Sequence, residues 1–268
     1  MKKQLSGFLL VLATLCFFAQ NKTFVYELDY RYSDKKDDRR KEIFTLDVVD
    51  QQSIFRTESE RMSDSLLASG KYGFGMGSNM ESQIYVMKNL NTNEIKKSYK
   101  THLRDYYYVK IDEKMNWKIL PDKDKIGDFE VQKAETSYGG RNWTAWFTNE
   151  IPIPEGPYAF NGLPGLIVKI KDNKGDYDFT LRAIRKNRGN LFFRKRGLEM
   201  SYPTFKKLMI DYYNDPYAEL KLRGVGVSKD DGYGNPVKAT YSEMTPGVQK
   251  NIRETNNPIE LNYKNDYK

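Results

Sequence analysis

Two reactive residue types are almost missing from this chain. Its 268 residues include one cysteine, Cys16, and one histidine, His102. A single cysteine cannot close an internal disulfide, and zinc sites built on several Cys or His ligands are excluded by count. A histidine-dependent triad would rest on His102 alone, and no Gly-x-Ser-x-Gly elbow accompanies it. The glycine-rich stretch Gly73-Phe74-Gly75-Met76-Gly77 is not followed by Lys-Ser or Lys-Thr, so it is no phosphate loop. Beyond the first twenty residues, no apolar run approaches the ~20 residues that a membrane-spanning helix needs.

The first twenty residues are different. Lys2 and Lys3 precede a nearly unbroken apolar run from Gly7 to Ala19. That is the basic n-region and apolar h-region of a signal peptide, with cleavage expected near Ala19 or Gln20. Residues 1–20 therefore predict export to the periplasm or outer envelope. Lipidation at Cys16 is not expected, because the bulky Leu15 precedes it and the apolar run continues through Phe17 and Phe18. Residues 21–268 read as a single β-rich domain, with no internal repeat and no clear linker. The formal charge of +8 falls to +6 without Lys2 and Lys3. Bases and acids are interspersed along the chain, which is a solvated surface and not a nucleic-acid footprint.

Alternation dominates the first two thirds. Phe24, Tyr26, Leu28, Tyr30 and Tyr32 share one side of a strand over 23–32. Returning strands are expected at 43–49 and 53–57, followed by a mobile loop over 63–80. Further strands are expected at 83–87, 94–100, 106–111 and 117–120, the last ended by a Pro121-Asp122 turn. Segments 129–136 and 141–148 predict a hairpin, with Gly139-Gly140 supplying positive φ at its turn. Segments 166–171 and 177–184 predict another. Helical spacing appears at 204–213 and 242–256, and 224–237 reads as loop. The twenty tyrosines favour sheet packing, and they also suit peptide- or sugar-binding surfaces.

Between the hairpins, Pro152, Pro154, Pro157 and Pro164 exclude helix and central strand. The segment ends in Gly162-Leu163-Pro164-Gly165-Leu166-Ile167. Around it lie Gly140-Arg141, Ala145-Trp146-Phe147, Ile151-Pro152-Ile153, Gly156-Pro157-Tyr158-Ala159-Phe160 and, far downstream, Asn256-Asn257-Pro258-Ile259-Glu260-Leu261. This ordered set resembles the GLPGLI family of Bacteroidetes-type bacteria, from about Thr23 to Leu261. The resemblance implies an exported protein of unknown function and brings no catalytic residues. Two readings of the motif stay open. In one, Leu163-Pro164-Gly165-Leu166 is a type II turn with positive φ at Gly165, while Gly156 and Gly162 let the backbone pass close under aromatic rings. In the other, Trp146, Tyr158 and Phe160 wall a ligand groove.

The expected fold is mainly β (α+β): a large bent antiparallel sheet or half-barrel with a few C-terminal helices on its concave side or closing one end. No metal and no cofactor is implied. The acidic turns at Asp172–Asp176 and Asp230–Gly232 lack the spacing of a calcium loop. Three functions fit these observations. The first is a non-catalytic binding or carrier module for an apolar, lipid-like or peptide ligand. The second is an accessory subunit partnered with outer-membrane proteins. The third is a carboxylate-dependent hydrolase, for which Glu150 and Glu155 are the first pair to consider.

Overall fold

The computed structural model describes residues 21–35, 37–74, 83–101, 105–194 and 197–268. The segment expected to be a signal peptide, with Cys16, the stretch from Gly75 to Gly77, and His102 lie outside the described residues.

Strand β1 (Lys22–Arg31) is the centre of the fold. It pairs with β2 (Arg39–Val49) on one side and β11 (Tyr177–Lys186) on the other. The β2 side continues through β3 (Gln52–Thr57), β4 (Val86–Asn89), β5 (Glu94–Lys100) and β6 (Tyr106–Lys110). The other side runs through β10 (Leu166–Asp172), β9 (Arg141–Thr148), β8 (Phe129–Tyr138) and β7 (Lys118–Ile126). All these neighbours are antiparallel. A three-residue strand, β12 (Leu198–Met200), adds in parallel beside β6 and completes a twelve-stranded sheet that does not close into a barrel. Gly139 and Gly140 both have positive φ, at 63° and 75°, which is what the β8–β9 hairpin requires.

The two faces of the sheet differ in chemistry. On one, Phe24, Tyr26 and Leu28 of β1 lie opposite or beside Leu46 and Phe44 of β2, and this apolar side continues to Phe55, Val86, Trp143, Phe147 and Phe179. On the other, Asp47 and Arg56 are fully buried under helix α1 (Glu58–Ala68). Arg56 reaches Asp47 at 3.2 Å and Asp64 of α1 at 2.7 Å. Helix α1 takes the first six residues, 63–68, of the loop expected over 63–80. Its start is set by a reciprocal cap, in which the Thr57 hydroxyl accepts from the Glu60 amide and the Glu60 carboxylate accepts from the Thr57 amide.

The apolar face is not left hollow. The Pro-Gly segment crosses it and fills it with Ile151, Ile153, Tyr158, Ala159, Phe160 and Leu163, all buried. The Phe160 ring lies 4.6 Å from Trp143 and 5.5 Å from Tyr138. A buried irregular segment needs partners for its backbone. The Gly162 amide donates to Pro154 O at 3.0 Å, and Ile167 and Leu166 donate to Glu155 O and Ile151 O. Trp117 Nε1 donates to Asn161 O at 2.8 Å, and Tyr26 donates its hydroxyl to Ile167 O at 2.6 Å. Lys88, on the same face of β4, donates to Gly156 O at 2.9 Å and forms an ion pair with Glu155, neither side chain having any exposed surface. Burial pushes the Lys88 ammonium down and the Glu155 carboxyl up, and each counters the shift of the other.

The type II turn is corrected by this geometry. Gly165 does not have positive φ, and the Leu166 amide bonds Ile151 O instead of closing a turn onto Leu163. Gly165 is required by proximity, since a Cβ there would stand 2.0 Å from Thr148 O. Gly156 is likewise packed against the Ile167 side chain, whereas Gly162 has φ +90° with open space around it. Three smaller corrections follow. Pro121-Asp122 is no turn, because β7 runs through it with a register shift between Ile119 and Lys123, which an edge strand tolerates. The loop expected over 224–237 contains most of a hairpin, β13 (Val227–Asp230) and β14 (Pro236–Ala239). A short helix, α3 (Ala218–Leu222), precedes it.

The two expected helices are present as α2 (Tyr202–Asn214) and α4 (Tyr241–Glu254). Phe205 and Met209 of α2 pack on Tyr99 and Val109. After α4 the chain returns to the sheet, where Arg141 takes it. All five guanidinium N–H groups are used: Nε to Ile259 O, Nη1 to Asp172 and Asp176, and Nη2 to Asn257 Oδ1 and Pro258 O, at 2.7–3.0 Å. The acidic turn at 172–176 is thus an arginine site. Desolvation alone would raise the Asp176 carboxyl, but hydrogen bonds from Arg141 and Arg31 outweigh it and hold it below the usual carboxylate value.

Gly165→Ala should cost about 2–4 kcal/mol in urea unfolding, because backbone must move, while Gly162→Ala should cost only about 1–2 kcal/mol of φ strain. Equal losses would remove close approach as the reason for Gly165. Lys88→Met should destabilise by about 3–5 kcal/mol by stranding a buried carboxylate. Adding Glu155→Leu should recover part of that, the remaining deficit reflecting the unpaired carbonyls of Gly156 and Phe160. A Lys88→Met protein as stable as the parent would show that the anchor lies elsewhere. Arg31→Gln should cost about 1–2 kcal/mol near neutrality. Because the folded Asp176 value is depressed, this contribution is present above its unfolded value and lost as pH falls through the folded one. The stability gap between parent and variant should therefore close in acid. A gap that stays constant would mean lost packing and not lost charge.

Candidate functional site

A cleft of about 830 Å³ lies at one end of the sheet. It opens where β1 finishes, β2 begins and β3 passes into α1. Tyr30, Tyr32, Phe44, Phe74 and Tyr106 supply its aromatic lining. Arg40, Lys41, Lys100 and Arg194 supply positive charge, and Glu42, Glu60 and Asp64 negative charge. Asn251 and Thr255, from α4 and the residue after it, close the far side.

Several of these side chains are held in place. The Phe74 amide donates to Ser63 Oγ at 2.9 Å, and Lys100 Nζ donates to Phe74 O at 3.1 Å. Arg40 lays its guanidinium over the Tyr32 ring, 3.9 Å from the centroid, and Tyr30 stacks on Tyr177 at 5.9 Å. At the floor, Arg194 stacks 3.8 Å above Tyr85, pairs with Glu60 and reaches Ser98 Oγ at 3.3 Å. Asp64 accepts from Arg56 at 2.7 Å and from the Tyr85 hydroxyl at 2.8 Å, and burial still leaves its carboxyl above the ordinary value. Glu42 is exposed at the mouth. Desolvation by the walls, followed by the nearby Glu60 carboxylate, raises its carboxyl as well.

The residues expected to wall a groove are elsewhere. Tyr158 and Phe160 have no exposed surface and lie in the core, their rings 6.2 Å apart. Trp146 alternates with Trp143 along β9 and so faces the opposite side of the sheet, half-buried. The three do not come together, and the groove reading is corrected accordingly: the rings that looked available for a ligand are packed on the chain itself. Arg141, Pro152, Gly156, Pro157, Gly162, Leu163, Pro164, Gly165, Leu166 and Ile167 form the crossing and its anchorage, not the cleft. Glu150 is exposed and accepts from the Glu130 amide at 2.9 Å, whereas Glu155 is buried with Lys88 and Ser53. They face different surroundings and do not flank a common space. Among the described residues, no group of three or more His, Cys, Asp or Glu is arranged to hold a metal.

The sequence contained one signal for this cleft, the Thr57-x-x-Glu60 cap that starts α1. The other lining residues run from Tyr30 to Thr255 and share no motif.

A family model described as "Protein of unknown function (Porph_ging)" matches residues 106–169, from the start of β6 through the Gly162–Ile167 motif and into β10. No curated protein matches the chain. Two solved structures, of PNGF-II in the P21 and C2 space groups, align with TM-scores of 0.51 and 0.52 at 18% and 17% identity. Each alignment covers 72% of this chain and 33% of the other, so the chain spans about a third of the length of those structures. At that identity the likeness is one of fold. The chain is thus similar in part to an uncharacterised Bacteroidetes-type family and shares a sheet architecture with a portion of PNGF-II.

Proposed function

We propose that this chain is an exported, non-catalytic binding module that holds a peptide in the cleft at the end of β1–β3. The observation that carries this reading is the cleft itself: a recess of about 830 Å³ with five aromatic rings and charges of both signs. Its volume lies in the range of ligand sites, and tyrosine rings beside paired charges suit an extended chain of mixed polarity. A lipid-like occupant is disfavoured. The apolar face that would have received it is filled by Ile151–Leu163, and the open recess is polar. Two of the three acids at the cleft are tied up by arginine, Glu60 by Arg194 and Asp64 by Arg56. That favours recognition over acid–base chemistry. The leader-like run before residue 20 supports export.

Native mass spectrometry of the protein purified from its own envelope should reveal a released peptide. Tyr32→Ala should weaken rebinding by about tenfold, the scale of one lost aromatic contact, with little effect on thermal unfolding. A protein that carries no peptide and rebinds none would sink the reading. Turnover in a broad hydrolase screen would move it to the enzyme class.

A further inference from the structure

The charged groups around the cleft are unequal in one respect. Glu60 pairs with Arg194, and Asp64 with Arg56. Lys41 lies 3.9 Å from Asp29, and Lys100 donates to Phe74 O. Arg40 rests on the Tyr32 ring. Glu42 forms no ion pair with any described residue, although the Arg40 charge and the Tyr30 hydroxyl nearby both favour its ionised form. Among the described residues the mouth therefore contains one carboxylate outside any ion pair, beside the aromatic rings of Tyr30 and Tyr32.

A carboxylate next to aromatic faces is the environment that takes an ammonium or guanidinium group. The carboxylate supplies the charge-assisted hydrogen bond, and the rings supply cation–π attraction. A neutral side chain would leave the carboxylate with no cation against it, and an acidic one would add repulsion to that from Glu60. We infer that Glu42 is the specificity residue of the cleft and selects peptides that place a lysine or arginine side chain against it. This rests on the peptide-binding reading above and adds to it the chemistry of one ligand position. The raised Glu42 carboxyl agrees with the geometry, since the attraction of a bound cation would counter the upward shift.

The test passes a randomised, capped hexapeptide library over the immobilised full chain and sequences the retained pool. Lysine and arginine together should be enriched about fivefold to tenfold at one position, as expected for a partly desolvated charge pair. Glu42→Gln should abolish that enrichment while other peptides are still retained, which also shows that the variant is folded. Glu42→Lys should replace it with enrichment of Asp and Glu. On the native protein alone, N-acetyl-lysinamide should compete for retained peptide better than N-acetyl-norleucinamide. Retention of peptides without basic enrichment, enrichment that survives Glu42→Gln, or equal competition by the two amides would overturn the role of Glu42 and leave peptide binding intact. Retention of nothing would remove both.

Discussion

A lysine and a glutamate with no exposed surface, Lys88 and Glu155, make the interior of this fold possible. The sheet buries its apolar face under a segment that is neither helix nor strand, and irregular backbone in a core brings polar groups that must be paired. The prolines help by subtraction. Pro152, Pro154, Pro157 and Pro164 have no N–H, so four donors need no partner. The carbonyls remain, and Lys88 reaches two of them, Gly156 O and Phe160 O, while Glu155 neutralises its charge. Burying such a pair adds little net stability. Its effect is positional: it fixes where the segment crosses, and thereby which way Tyr158 and Phe160 point.

A second anchorage ties the ends of the fold together. Arg141 begins β9, yet its guanidinium binds the turn after β10 and the segment Asn257–Ile259. Asn257 in turn donates to Arg31 O at the end of β1. Glu260, two positions from Pro258, accepts from Tyr138 and Tyr158 and pairs with Lys97 at 3.3 Å. Segments more than a hundred residues apart in sequence thus meet in one buried polar cluster. The Gly-Arg pair near residue 140 and the Asn-Asn-Pro segment near 257 are two halves of the same contact.

What was legible in the sequence follows from how local each cause is. The alternation of Phe24, Tyr26 and Leu28, and the double glycine at 139–140, act over a few residues, and the strands and hairpin they imply are present. Helix α1 was missed although its cap was written in Thr57 and Glu60, because the small polar residues after it look like loop. The type II turn failed for a different reason. Pro-Gly satisfies turn chemistry, but the need for Gly165 comes from Thr148 across the sheet, a contact no local pattern contains. Lys88 lies one residue past the strand expected at 83–87 and reads as an ordinary polar position. Glu42 reads as one more charge in a run from Asp34 onward.

The abundance of tyrosine now has a specific cause. Buried tyrosines end on polar partners: Tyr26 on Ile167 O, Tyr85 on Asp64, Tyr138 and Tyr158 on Glu260, Tyr177 on Asn257 O. Burial raises the hydroxyls of all five, which keeps them neutral donors. A phenylalanine at these positions would fill the same volume and leave a carbonyl or carboxylate unpaired. These five tyrosines are therefore structural, and four of them pair the crossing or the C-terminal segment. Other rings stand at the cleft mouth, where the apolar face runs out and charged side chains begin. On the peptide reading proposed above, selectivity there rests on how few of the described charges stand outside an ion pair, and a single carboxylate can then discriminate.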